Sequence, residues 1–144
     1  MNILDQVKSH RGSEAALGMV FSTRTEYAAL LPSGSRLIGQ AGNKLLCYVE
    51  GYQETVFAVD IHSGIIKPLA YDFSEFLKLV FACGSAERAV SIPFVFGNTP
   101  QGPLVSVPGS MKKLRDSLEL TPIADPVEYV RTVAQVIDCS RLRA

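Results

Sequence analysis

Residues 44–84 read as three strands in quick succession that run straight into a capped amphipathic helix, and this stretch restricts the fold more than any other part of the chain. Leu45-Leu46-Cys47-Tyr48-Val49 is rich in strand-forming residues, and Gly51 marks a turn. Thr55-Val56-Phe57-Ala58-Val59 reads as the second strand. Both runs are apolar on alternate and intervening positions, the pattern of central strands covered on both faces. Asp60-Ile61-His62-Ser63-Gly64 is a tight turn, because Asp and Ser bond nearby backbone amides and Gly accepts positive φ. Residues 65–69 return as a third strand, and connections this short make the three an antiparallel meander. Asp72-Phe73-Ser74-Glu75 then has the form of a capping box. Phe73, Phe76, Leu77, Val80 and Phe81 recur at helical spacing and give that helix one apolar face, and Gly84 is placed to end it in a left-handed conformation.

The flanks carry weaker patterns. Ile3, Leu4 and Val7 predict a short helix over 2–10, broken by Arg11-Gly12-Ser13. Met19-Val20-Phe21 reads as a short strand, and residues 27–31 suit strand or helix up to Pro32-Ser33-Gly34. Arg36-Leu37-Ile38 reads as a short extended piece closed by a turn cluster over 39–43. Residues 91–109 are rich in Pro and Gly but interrupted by Phe94, Val95 and Phe96, which suits an ordered irregular loop or short strand better than a tether. A helix is expected over 110–118 with Met111, Leu114 and Leu118 on one side. Asp125-Pro126 starts another that runs to about Ile137, burying Val127, Val130, Ala134 and Ile137. The elements together predict an α+β fold, and a length of 144 residues fits a single domain over 1–144.

Composition narrows the function classes. A formal net charge of zero, with 14 Lys and Arg against 14 Asp and Glu, argues against electrostatic capture of nucleic acid or anionic lipid. The N-terminus shows no basic segment followed by an apolar run, and no apolar run approaches a bilayer span, so a cytoplasmic chain without membrane attachment is expected. The three cysteines, Cys47, Cys83 and Cys139, are widely spaced among apolar neighbours and read as buried thiols.

Reactive groups do not converge in the sequence. The glycines never fall in a phosphate-loop or dinucleotide spacing, and neither histidine, His10 nor His62, has a nearby Cys or His to share a metal. Cys83 sits at a helix C-terminus, where the dipole disfavours a thiolate, and Cys47 lies mid-strand. Asp60, Asp72 and Asp125 have turn and cap duties, and Asp138 closes the last helix. No catalytic residue, cofactor or metal is therefore expected. The basic residues Lys112, Lys113, Arg115, Arg141 and Arg143 lack interleaved aromatics and read as solvated charges. Recognition is hinted at in one place only: Tyr48, Glu50, Tyr52 and Glu54, two tyrosines and two carboxylates around a hairpin turn, form a candidate protein-binding surface. An ordinary solvated turn with rim tyrosines explains the same residues.

Three passages taken in order resemble the SUKH superfamily, which includes the fungal Smi/Knr cell-wall regulators and many bacterial proteins. They are LLCYVEGYQETVFAVDIHSG; Lys67-Pro68-Leu69-Ala70 leading to DFSEFLKLVFACGSAERAV; and LELTPIADPVEYVRTVAQVID. The long N-terminal helix and the Asn-Gly-Gly-type turn common in the superfamily are missing. A Pro- and Gly-rich segment stands where the related subgroup has a Trp-containing helix. The resemblance implies an α+β fold with an antiparallel or mixed β-sheet flanked by α-helices, no catalytic residues, and a protein partner. Bacterial members are mainly immunity proteins that bind a cognate toxin. The expectation is a non-catalytic protein-binding domain, monomer or homodimer, that neutralises a polymorphic toxin. A regulatory or scaffold module is one alternative; a small-molecule sensor with a pocket lined by Phe57, Phe76 and Phe94 is another.

Overall fold

In a computed structural model, which describes residues 3–94 and 109–137, the chain has an α+β fold built on a four-stranded antiparallel sheet. Helices α1 (Ile3–Ser9), α2 (Ser13–Leu17) and α3 (Thr25–Ala28) precede strands β1 (Ser35–Ala41), β2 (Lys44–Val49), β3 (Val56–Asp60) and β4 (Ile66–Ala70). Helices α4 (Phe73–Cys83) and α5 (Ala86–Ser91), a 3-10 turn at Ile92–Phe94, α6 (Gly109–Leu118) and α7 (Pro126–Val136) follow. The strands lie in chain order, so the sheet is a meander with β1 and β4 at its edges.

Strand β1 extends the expected three-stranded meander to four, and it is longer than the piece read at Arg36-Leu37-Ile38. Its register against β2 skips between Leu37 and Gly39, and pairing then continues through Gln40 and Ala41. Gly39, read from sequence as a turn residue, is a strand residue at a close approach. A Cβ there would lie 2.2 Å from the Val20 carbonyl oxygen. The turn shrinks to Gly42-Asn43, with Ala41 and Lys44 paired across it. The strand expected at Met19-Val20-Phe21 reduces to one bridge, in which the Val20 and Gln40 amides each donate to the other's carbonyl at 2.9 and 2.8 Å. Residues just before it are helical instead, between Gly12 and Gly18, both with left-handed φ.

Both faces of the central strands are buried. On one face Ile38, Leu46, Ala58 and Leu69 join Phe73, Phe76, Leu77, Val80 and Phe81 of α4 in the main cluster, which also takes in Val7, Leu17, Met111, Leu114 and Val130. On the other, Leu45, Cys47, Val49, Phe57, Val59 and Ile66 are covered by Tyr27, Leu30, Leu31, Tyr52, Ile61 and Ile137. The stretch around α3, ambiguous in sequence, therefore roofs the second face. Two-sided coverage is why the strands read as continuous apolar runs rather than alternating ones.

Helix α4 forms where the cap predicts: Asp72 Oδ1 accepts the Glu75 amide at 2.8 Å, and Gly84, at φ 87°, closes the C-terminus. Its burial exceeds one face, since Leu79 and Ala82 are buried too; α1, α5, α6 and α7 all pack on it. Ser85 caps α5 by accepting the Arg88 amide. In α7, capped by Asp125, the packing stripe differs from the expected one. Val130 and Val133 are buried and Val127 partly so, while Ala134 is exposed. The stripe advances by three residues rather than four, and Ile137, with extended φ −92° and ψ 113°, leaves the helix and packs on the opposite sheet face. Helix α7 packs along edge strand β4, which carries Pro68. The Tyr71 amide donates to the Tyr129 hydroxyl at 3.2 Å, and the two rings meet edge to face. Of the Pro- and Gly-rich stretch, residues 95–108 lie outside the described residues, as do Asp138, Cys139, Arg141 and Arg143.

Phe76 is fully buried where α4 meets the sheet side, so Phe76→Ala is expected to cost about 3–5 kcal/mol in urea unfolding. Asp72→Ala removes only a cap and is expected to cost about 1 kcal/mol. Equal losses for the two variants would contradict this division between core and cap.

Candidate functional site

The end of β2 and the β2–β3 connection carry the four residues singled out in the sequence, Tyr48 in the strand and Glu50, Tyr52 and Glu54 in the turn. Tyr48 is half-buried on the helix-bearing side of the sheet, with the Arg36 guanidinium 5.5 Å from its ring centre. Burial pushes its phenol pKa up, the Glu54 carboxylate adds to this, and Arg36 opposes it. Tyr52 turns to the other side, where its ring meets Phe57 edge to face at 5.2 Å. Glu50 is exposed; its side chain lies over Gly34, where an added Cβ would be 2.7 Å from Oε2, and its amide donates to the Gly34 carbonyl at 3.1 Å. Glu54 is exposed as well.

The turn backbone is fixed locally. The Tyr52 amide donates to the Val49 carbonyl at 3.1 Å, the Thr55 amide to the Tyr52 carbonyl at 3.2 Å, and Gln53 takes a left-handed φ of 56°. The structure thus brings Glu54 near Tyr48 and sends Tyr52 to the opposite side of the sheet. What solvent meets at this end is chiefly the tip, Glu50, Gly51, Gln53 and Glu54.

The buried ionisable groups serve the architecture. Lys44, 8% exposed, places Nζ 2.7 Å from Asn43 Oδ1, 3.3 Å from Asp60 Oδ1 and 4.8 Å from the Phe94 ring centre. The Ser63 hydroxyl, 2.6 Å from Asp60 Oδ2, and then Lys44 hold the Asp60 carboxyl below the usual carboxylate range against the effect of burial. This cluster ties β2 to the β3–β4 turn and to the 3-10 turn. Among the described residues, no buried side-chain polar atom lacks a hydrogen-bond partner.

Burial pushes the Cys47 thiol up to about 12, opposed by a hydrogen bond with Ser35, and the Cys83 thiol up to about 11, opposed by Arg88. Both shifts disfavour the thiolate near neutrality. His10 and His62 are exposed, and among the described residues no group of three or more His, Cys, Asp or Glu gathers as for a metal. Phe57 and Phe76 stand in separate clusters on opposite faces of the sheet, so they line no common pocket. No helix among the described residues is long and apolar enough to cross a membrane.

One concavity was not foreseen from the sequence. An open depression of about 440 Å³ lies outside β1, lined by Glu14, Ala15, Gly18, Met19, Val20, Gln40 and Gly42. It exists because α2 ends at Gly18 and the chain then touches β1 at a single bridge. The signal for it was the pairing of Gly39 and Gly42 around Gln40, which reads equally well as turn chemistry.

A thiol raised in the folded state contributes stability that is complete below its unfolded value near 9 and is lost as pH rises through its folded value. The urea midpoint is therefore expected to fall between pH 9 and 12, and Cys47→Ala to lessen that slope. Iodoacetamide at pH 8 is expected to leave Cys47 unmodified in the native protein and to alkylate it in urea, as read by mass spectrometry. Lys44→Ala is expected to cost about 2 kcal/mol because it strips a partner from Asp60, whereas Lys67→Ala, at the one partly exposed position of β4, changes stability by less than about 0.5 kcal/mol. Comparison of the chain with protein-family models, curated proteins and solved structures finds no match.

Proposed function

We propose that this chain is a non-catalytic protein-binding domain of the SUKH type, a bacterial immunity protein that binds and neutralises a cognate toxin. The observation that carries the reading is the exposed tip between β2 and β3, held by the Glu50–Gly34 contact on one side and the Tyr52–Phe57 ring contact on the other. A preorganised tip loses little entropy when a partner closes over it. Its two carboxylates then supply orientation and selectivity more than raw affinity. The duties of the buried ionisable groups support a binding role over a catalytic one: Lys44, Asp60, Cys47 and Cys83 are each accounted for by packing or by a turn. The ordered sequence passages of the SUKH resemblance supply the partner class, and zero net charge favours recognition by shape over bulk electrostatic neutralisation.

The test is co-purification with the toxin-like product encoded beside this gene. A stable complex is expected, weakened about tenfold or more in a Glu50→Lys/Glu54→Lys double variant whose thermal melt is unchanged. Absence of a complex with any neighbouring gene product would sink the immunity reading. A complex indifferent to both charge reversals would move the contact away from this tip.

A further inference from the structure

We draw no further inference here: the strongest candidate, the exposed apolar surface that Val136 at the end of α7 and Ile65 just before β4 present on two elements packed together, carries nothing, because nothing in the structure shows what covers it.

Discussion

The double-sided burial of the β2–β3 pair is the constraint on which the remaining structure depends. Alternate residues of these strands enter two separate clusters: Leu46 and Ala58 face α4, while Leu45, Cys47, Phe57 and Val59 face the roof formed by Tyr27, Leu30 and Leu31. A slip of one residue in their register would exchange the two sets, placing side chains fitted to a helix under a loop and the reverse. The Lys44–Asp60 pair stands at one end of this register, where the two residues are also direct cross-strand partners. Polar satisfaction and apolar packing thus select the same alignment.

The helical layer follows from that alignment. Strand β4 delivers the chain to Asp72 at the sheet border, and the cap turns it at once into α4. Because α4 is covered by the sheet on one side and by α1, α5, α6 and α7 on others, it is the inner member of its layer. This explains its seven buried residues and the closeness of the early and late segments of the chain around it.

What the sequence revealed tracks how local each cause is. The three strands, α4 with both caps, and the start of α7 were readable because turn residues, capping side chains and periodicity all act within a few positions. Strand β1 was underestimated because Gly39 looks like turn chemistry, yet its lack of a side chain serves the approach of Val20, 19 positions away. The face of α7 was misjudged at Ala134 because its stripe is set by β4 and by the Tyr71–Tyr129 contact, both tertiary. The candidate tip was legible as residues but not as geometry: the strand ends at Val49, and the turn that follows carries Tyr52 to the side of the sheet opposite Tyr48. The depression outside β1 was invisible, being made by elements that neighbour one another only after folding.

Pro68 in β4 has a wider meaning. A proline in the outermost strand interrupts the row of amide donors that another extended chain needs for zipping on, and at the far border the Val20 bridge occupies Gln40. With these obstacles on its two sides, the sheet resists indefinite lateral growth. Any association with another chain would then fall to side chains on turns and hollows, which discriminate among molecules in a way that main-chain pairing does not.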